Sequence, residues 1–236
     1  MLVVQHAGGG KANQYFLRGF DADHGTDVAL SLDGVPFNNV SHGHGQGYAD
    51  PHFIIPELVE RVDVHEGPYH ASDGDFATAG AINLRYLTRV RESSLSVQGG
   101  MYGFGRLLAI ARTEGGPIRG YIAAELRHDD GPFTNPLGYD RFNAVGRWSI
   151  RPGPASLLTL TLSTYGGAWN ASGQVPSRLA DDPRSGFARF DSVDPTEGGN
   201  SNRHQAYLEL RAQLSPDQEL TRSEERRVGK ECRSRW

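Results

Sequence analysis

Cysteine is almost absent from this chain of 236 residues: the single one, Cys232, lies close to the C-terminal end. With no cysteine in residues 1–231, that part of the chain cannot form a thiol-dependent active site or a zinc–thiolate site. The chain also lacks a run of about 18 apolar residues, so no membrane-spanning helix is predicted. No basic segment followed by an apolar stretch opens the sequence, and we therefore expect no signal peptide within it.

Motifs of enzymatic chemistry are missing as well. The segment "HAGGGKAN" is not a phosphate-binding loop, because Lys11 is followed by alanine and Gln5 stands where the first glycine is required. "GHGQG" does not complete a dinucleotide fingerprint, and there is no G-x-S-x-G nucleophile elbow. Three acidic residues lack the EF-hand pattern of a calcium site: Asp21, Asp23 and Asp27. The sequence therefore predicts that the protein is not an enzyme and uses no cofactor.

The last fifteen residues, "RSEERRVGKECRSRW", differ abruptly from the rest of the chain. They resemble the translation of a sequencing-library adaptor, and we interpret residues 222–236 as a non-native tail. A genuine basic tail is the alternative. Without the tail, 18 basic and 25 acidic residues leave a net charge of −7. Such a charge argues against a nucleic-acid partner.

Residues 91–221 contain six stretches in which apolar and polar side chains alternate, as in strands with one apolar and one polar face. The stretches cover residues 94–98, 106–112, 121–127, 141–150, 158–163 and 205–214. Their polar faces carry Arg and Glu at mid-strand, which suits a water-filled lumen. Short connections alternate with long ones, residues 129–140 and 168–201, which is typical of an outer-membrane barrel. A soluble β-sandwich also alternates and stays open as an alternative.

The first ninety residues have a different character. "YFLRGFDADHGTDVALSLDGVPFNNV" contains strand-like segments, an Arg-Gly pair and a tight reversal at Asp33–Gly34. "FIIPELVERVDVHEGP" predicts a short helix after Pro56 and then a strand that ends at Gly67–Pro68. Small residues dominate the segment that follows.

This order of motifs resembles the plug domain of TonB-dependent outer-membrane receptors. The residues that match the family's structural motif are Gly19, Asp33, Gly34, Gly67, Pro68, Gly74, Gly80 and Asn83. The resemblance implies an α+β plug domain in residues 1–90, with its N-terminus missing. It further implies that residues 91–221 form part of an antiparallel transmembrane β-barrel, six of about 22 strands. Six strands are too few to close a barrel of useful width.

The resemblance also implies how plug and barrel interact. In the family, the arginines of the Arg-Gly and Glu-Arg motifs pair with barrel glutamates, and the matching residues here are Arg18 and Arg61. Guanidinium forks hold carboxylates in a fixed geometry, which suits a lock between plug and barrel. The alternative is two ordinary solvated arginines. Small residues at positions 71–81 would let the plug backbone approach the barrel wall closely.

Three positions depart from the family's pattern. Glu66 stands where Lys or Arg is usual, Asp73 replaces an aromatic residue, and Ala79 replaces a glycine. We expect these changes to alter local contacts inside the lumen and to leave the fold unchanged.

Three histidines in the segment "SHGHGQGYADPHF" are candidates for contact with a metal or a metal chelate: His42, His44 and His52. Imidazole suits Zn, Cu, Fe and Ni. A plain polar loop is the alternative, because spacing alone is weak evidence for a site.

The resemblance implies a receptor for active uptake of a scarce nutrient, such as a siderophore or other metal chelate, cobalamin or an oligosaccharide. The implied partners are TonB with its inner-membrane energising complex, outer-membrane lipid and an extracellular small molecule. The TonB-contact segment is expected to precede residue 1. A receptor that only signals, and a secreted or periplasmic β-sandwich that binds carbohydrate, are the alternatives.

Overall fold

The computed structural model describes residues 1–5 and 9–230. The last six residues of the predicted tail, which include Cys232, lie outside this described part. The chain divides into two compact units, Met1–Leu87 and Thr88–Trp236. This division falls three residues before the domain boundary predicted from the sequence. No helix in the described residues has the length and apolar character needed to cross a membrane.

The first unit contains two small sheets. An antiparallel sheet has the order β1–β2–β3, with strands β1 (Leu2–Val4), β2 (Gln14–Leu17) and β3 (Phe20–Ala22). A second sheet has the order β5–β4–β7–β6, with strands β4 (Val28–Leu32), β5 (Val35–Pro36), β6 (Val59–Glu66) and β7 (Gly80–Tyr86). Strands β4 and β7 are parallel, and the other pairs are antiparallel. Short 3-10 helices cover Asp23–Gly25, Pro56–Leu58 and Ala71–Asp73.

Two tight reversals in the first unit follow directly from the sequence. Arg18 and Gly19 have φ values of 54° and 81°, and they join β2 to β3. Asp33 and Gly34 have φ values of 53° and 80°, and they join β4 to β5. Positive φ at both central residues is the geometry of a two-residue type I′ hairpin, for which Asp-Gly is a preferred pair. The predicted reversal at Asp33–Gly34 is therefore present, and the Arg-Gly pair forms a second one.

The small-residue segment packs inside the first unit itself. A side chain on Gly80 would overlap the backbone carbonyl of His65 on the neighbouring strand, so only glycine fits there. Ala77 and Ala81 form a buried cluster with Ala29 of strand β4. Close approach between β7 and its neighbours thus requires small residues at several of these positions. The predicted contact of this segment with a barrel wall stays a prediction.

The second unit contains one antiparallel sheet in which each strand pairs with the next along the chain. Its strands are β8 (Ser94–Gly99), β9 (Gly105–Gly115), β10 (Ile118–Asp129), β11 (Tyr139–Ile150), β12 (Ser156–Asn170), β13 (Gly198–Ser215) and β14 (Gln218–Lys230). The connections after β9, β11 and β13 are short, whereas those after β10 and β12 span residues 130–138 and 171–197. Helix α1 (Ser177–Ala180) lies in the longer loop. Short turns at one end and long loops at the other agree with the predicted barrel topology.

The sheet has seven strands, one more than the six counted from the sequence. Strand β14 includes residues 222–230, which the sequence analysis set aside as a tail, and these residues continue the pairing with β13. The count differs because backbone pairing does not require the apolar alternation by which the other six strands were found. The interpretation of residues 222–236 as a non-native tail stays a prediction.

Burial in this sheet is the reverse of that in a soluble protein. On one face, apolar side chains are exposed: Leu95 is 71% exposed, Val97 76% and Leu126 53%. On the other face, Glu125 and Asn143 are fully buried. A soluble β-sandwich buries the apolar face of each sheet and leaves the charged face in water. The sandwich alternative is therefore wrong, and the exposed apolar face suits contact with lipid.

Candidate functional sites

The buried face of the second unit carries a charged network centred on Glu125 of strand β10. The guanidinium of Arg106 on β9 contacts Glu125 Oε2, with Nε at 2.6 Å. Arg141 on β11 donates from Nη2 to Glu125 Oε1 at 2.7 Å, and Asn143 Nδ2 donates to the same oxygen at 3.1 Å. A carboxylate at 0% exposure is costly unless it is paired and hydrogen-bonded, and these donors meet that requirement.

The same face continues across the later strands with more polar pairs. Arg147 on β11 donates to the Thr161 hydroxyl of β12 at 2.9 Å, and both residues are buried. On β13, Arg211 Nε donates to Glu209 Oε1 at 2.9 Å. Successive strands thus place their charged residues on one face, as the register of each pair requires. This arrangement is typical of the inner wall of an outer-membrane barrel.

The two long loops of the second unit pack against each other. They bury an apolar cluster of Leu137, Tyr139, Trp169 and Ala171, with Phe133 against it. The Thr134 hydroxyl donates to Asp191 Oδ1 at 2.8 Å, and the Thr134 backbone N–H donates to the Phe190 carbonyl at 3.0 Å. Hydrogen bonds from the Ala188 backbone N–H and the Thr134 hydroxyl lower the pKa of Asp191. The loops therefore form an ordered surface.

In the first unit, the side chain of Asp73, which departs from the family pattern, has hydrogen-bond partners nearby. The Asp73 side chain is 5% exposed, and its Oδ2 lies 2.9 Å from His65 Nδ1. Asn83 Nδ2 donates to Asp73 Oδ1 at 3.5 Å, and the Ser31 hydroxyl donates to Asn83 Oδ1 at 2.5 Å. The His70 ring contacts the His65 ring at an angle of 47°, with ring centroids 4.6 Å apart. A polar network thus occupies the position where the family has an aromatic ring.

The glycines of the predicted closing motif differ in what requires them. Gly67 and Gly74 have φ values of 89° and 71°, a backbone region that favours glycine. A side chain on Gly67 would also meet the Tyr69 ring at 2.6 Å. Pro68 lies two residues after Glu66, the last residue of strand β6, where its fixed φ helps end the strand.

The two arginines of the predicted lock have partners within the first unit. Arg18 Nη1 donates to the Glu66 carbonyl at 3.2 Å. Arg61 Nε donates to Asp63 Oδ2 at 2.8 Å, and its side chain is 59% exposed. Glu66, the second departure from the family pattern, thus contacts Arg18 through its backbone. The lock itself stays a prediction.

Two of the three predicted histidines belong to an aromatic cluster around Tyr48. The His42 ring stacks on Tyr48 at 4.1 Å between centroids, and the His44 ring meets it edge-on at 6.1 Å. His24, from the 3-10 helix Asp23–Gly25, lies 4.4 Å from His44 and 5.4 Å from Tyr48. We call His24, His42, His44 and Tyr48, together with Asp23, the histidine cluster.

The third predicted histidine has a different partner. His52 Nδ1 lies 2.7 Å from Asp50 Oδ1, and both side chains are largely buried. Burial and, to a lesser extent, the negative charge of Asp50 raise the pKa of Tyr15 above its usual range. His52 thus pairs with Asp50, and it is not one of the three described residues whose ligand atoms converge, Asp23, His24 and His44.

Asp23 connects the two histidines that the sequence did not pair. His24 Nε2 lies 3.4 Å from Asp23 Oδ1, and His44 Nε2 lies 3.4 Å from Asp23 Oδ2. These donor atoms all lie within 4.8 Å of one another. His24 was not among the predicted site residues, because it lies twenty residues before His44 and only the fold brings the two together.

The scaffold of the histidine cluster depends on the buried amide of Asn38. Its Nδ2 contacts the carbonyls of Gly25, Val28 and Gly47 at 2.9–3.0 Å, while Leu30 N donates to its Oδ1 at 2.6 Å. One side chain thus connects the backbone next to His24 with the backbone next to Tyr48. Such a residue holds two separate segments in a fixed relative position.

Comparison with known proteins identifies the first unit. Residues 2–81 match the model of the TonB-dependent receptor plug domain. The first unit is a TonB-dependent receptor plug domain. The match covers nearly all of that unit, including the hairpins, the small-residue segment and the histidine cluster.

Solved structures extend the likeness over both units. The chain aligns with the ferric citrate transporter FecA in its unliganded form at a TM-score of 0.76 and 13% identity, covering 97% of this chain and 35% of that one. It aligns with the pyoverdine receptor FpvA from Pseudomonas aeruginosa at 0.71 and 18%, covering 96% and 33%. For the siderophore receptor PiuA from Acinetobacter baumannii the values are 0.68 and 16%, covering 95% and 31%. The chain thus spans about a third of these proteins' length.

The fold prediction is confirmed: a plug domain precedes part of the barrel of a TonB-dependent receptor. The described strands do not close into a barrel. TonB-dependent receptors are outer-membrane proteins of Gram-negative bacteria, and the predicted location in the bacterial outer membrane is confirmed. The family comprises receptors, and the absence of enzymatic activity stays a prediction.

Proposed function

We propose that the chain is part of a receptor that takes up a scarce nutrient across the outer membrane with energy supplied through TonB. The observation that carries this proposal is the plug-domain match over residues 2–81, directly followed by a sheet with an exposed apolar face. A plug blocks diffusion through the pore, so movement of a ligand requires that an outside force rearrange it.

The cargo that we propose is a metal chelate of the siderophore class. The support comes from the solved relatives, whose names identify receptors for ferric citrate, pyoverdine and a siderophore. Cobalamin and an oligosaccharide are the other cargo classes. TonB would engage a segment outside these 236 residues by adding it as a strand to its own sheet.

Uptake by cells tests the proposal. The outer-membrane protein that carries this chain is expressed in isogenic cells with and without TonB, and entry of radiolabelled ferric citrate, a ferric hydroxamate, cyanocobalamin and a maltooligosaccharide is measured. We expect TonB-dependent entry of an iron chelate. Entry of none of the four, or equal entry without TonB, would contradict the proposal, and binding without entry would favour the signal-only receptor.

We further propose that Arg18 and Arg61 lock the plug to the barrel. The proposal is supported by their motif positions and by the bidentate geometry of guanidinium–carboxylate pairs. Replacing both by alanine should loosen the plug and admit vancomycin, a large antibiotic that an intact outer membrane excludes. Arg85→Ala, at another exposed arginine of the first unit, serves as the control and should leave vancomycin resistance unchanged. Equal vancomycin resistance in all variants would contradict the proposed lock.

A further inference from the structure

The histidine cluster contains a donor set that fits a transition-metal ion. From Asp23, His24 and His44 it offers one carboxylate and two imidazoles, with 3.4 Å separating each Nε2 from an Asp23 oxygen. In tetrahedral zinc sites the bonds to nitrogen and oxygen measure about 2.0–2.2 Å, which places neighbouring ligand atoms roughly 3.3–3.5 Å apart. The two separations are close to that edge length, each to a different oxygen of Asp23, and all the donor atoms lie within 4.8 Å of one another.

The tautomer of His24 directs its second nitrogen toward this site. Its Nδ1 lies 2.7 Å from the Ala12 carbonyl, and a carbonyl oxygen only accepts hydrogen bonds, so Nδ1 carries the proton. In the neutral ring, Nε2 then holds the lone pair, and it faces an Asp23 oxygen that also holds lone pairs. A cation between the two atoms could accept a lone pair from each of them. Backbone carbonyls orient metal-binding histidines in this way in many proteins.

The position of His24 is held from several sides. Its side chain is 4% exposed, and its carbonyl accepts from the Ala49 backbone N–H at 2.8 Å. The Tyr48 hydroxyl accepts from the Ala12 backbone N–H at 3.1 Å, which fixes the carbonyl group that orients the ring. His24 has a φ of 56°, a strained conformation for a residue with a side chain. Strain of this kind persists where the surroundings enforce it, often at functional sites.

Access from solvent completes the geometry. The Asp23 side chain is 52% exposed and the His44 side chain 25% exposed. One buried ligand and two accessible ones leave room for water or a chelating ligand at a further coordination position. This arrangement is that of an open metal site, in contrast to a closed structural one.

We propose that Asp23, His24 and His44 bind a divalent transition-metal ion of the zinc type at the surface of the plug. Two imidazoles with one carboxylate suit Zn²⁺, Cu²⁺, Ni²⁺ or Fe²⁺, whereas Ca²⁺ and Mg²⁺ require oxygen ligands throughout. The site includes His44 from the sequence prediction, replaces His52 by His24, and adds Asp23. It requires no uptake, so it stands independently of the proposed transport.

Calorimetric titration with Zn²⁺ tests the site. The full chain is purified in detergent without a polyhistidine tag, in a Cys232→Ser background that removes the thiol, and is titrated at pH 8, where free imidazole is neutral. We expect one Zn²⁺ per chain and no saturable binding of Ca²⁺. Asp23→Asn and His44→Gln should each weaken zinc binding at least tenfold, because even the loss of a partner that only supports a ligand costs about 10–100-fold.

His52→Gln is the matched control, since His52 was an equal candidate by sequence and pairs with Asp50 instead. We expect its zinc affinity to equal that of the parent chain. Thermal unfolding of every variant in metal-free buffer shows that the plug is folded, and visible absorption of the Co²⁺ form reports imidazole and carboxylate coordination. Zinc binding unchanged by Asp23→Asn and His44→Gln, loss with His52→Gln alone, or no stoichiometric binding would each overturn the proposal. Failure of uptake in the cellular assay would leave this result unaffected.

Discussion

In the first unit the buried side chains are mainly apolar, such as Val28, Phe37 and Leu58, and the histidine cluster lies at an accessible edge. In the second unit the buried positions include Glu125 and several arginines, while leucines and valines face outward. The first unit follows the pattern of a protein in water. The second follows that of a wall between lipid and a polar interior. One chain thus contains a unit whose burial pattern suits water and a unit whose burial pattern suits lipid.

The largest effect is expected at the buried charge network. Glu125→Ala leaves the guanidinium groups of Arg106 and Arg141 without their shared carboxylate. Because breaking a buried ion pair leaves uncompensated charge, the free energy of unfolding should fall by about 3–5 kcal/mol. Thermal unfolding in detergent measures the loss, with Glu92→Ala at an exposed position as the control. A loss no greater than that of the control would mean that the network adds nothing to stability.

The next largest effect is expected when an exposed apolar residue is replaced by arginine, because the two units should respond differently. Leu162 is 43% exposed at the middle of β12, and Val40 in the first unit is 80% exposed. Leu162→Arg should cost about 2–4 kcal/mol in a bilayer, because the arginine would enter the lipid core. Val40→Arg should change stability by less than about 0.5 kcal/mol, since it faces water. Unfolding by urea in lipid vesicles compares the two, and equal small effects would place both residues in water.

The scaffold of the histidine cluster gives the next prediction. Asn38→Ala removes the amide that connects the segments around Gly25 and Gly47. The buried backbone groups lose their partner, and we expect a loss of about 2–3 kcal/mol. Gln46→Ala, which removes an exposed amide two residues before Tyr48, is the control and should be neutral. If Asn38→Ala is equally neutral, the two segments are held by other contacts.

The smallest effect is expected in the packed loops. The pKa of Asp191 is lowered by its hydrogen bonds in the folded loops, so its contribution is present above the usual aspartate pKa of about 4 and is lost as pH falls through the lowered value. At pH 7, Asp191→Asn should speed protease cleavage of the long loop roughly twofold, as a weak surface contact would. At a pH below the lowered pKa of Asp191, the variant and the parent should converge. Identical cleavage at pH 7 would show that the contact does not hold the loop.

Much of the second unit could be predicted, because alternation reports directly which side chains share a face of a strand. The strands are longer than their alternating segments, however. Strand β13 begins at Gly198, inside what the sequence suggested was loop, because backbone pairing with Trp169 and Asn170 extends it. The hairpin at Asp33–Gly34 was also predictable from Asp-Gly chemistry, whereas the one at Arg18–Gly19 was not. The grouping of Asp23, His24 and His44 was not predictable, because it depends on a contact between a 3-10 helix and a loop distant in sequence.

Strand β14 shows the limit of pairing as evidence. On the face where its neighbour β13 carries Leu208 and Leu210, β14 presents Glu224 and Arg222, with side chains 65% and 75% exposed. Charges there would enter lipid at considerable cost. If residues 222–236 are non-native, sequencing the source gene past the codon for Thr221 should reveal apolar residues at alternate positions. The same fifteen residues followed by a stop codon would contradict the tail interpretation.

The central claim is that the apolar face of the second unit contacts lipid. A nitroxide scan of six consecutive positions in β12, residues 158–163, tests it in the outer-membrane protein that carries this chain, reconstituted into vesicles. Labels at Leu158, Leu160 and Leu162 should be accessible to oxygen and protected from a water-soluble nickel complex, whereas labels at the positions between them should show little exposure to oxygen. Equal access of the nickel complex to all six positions, or the opposite alternation, would contradict the claim.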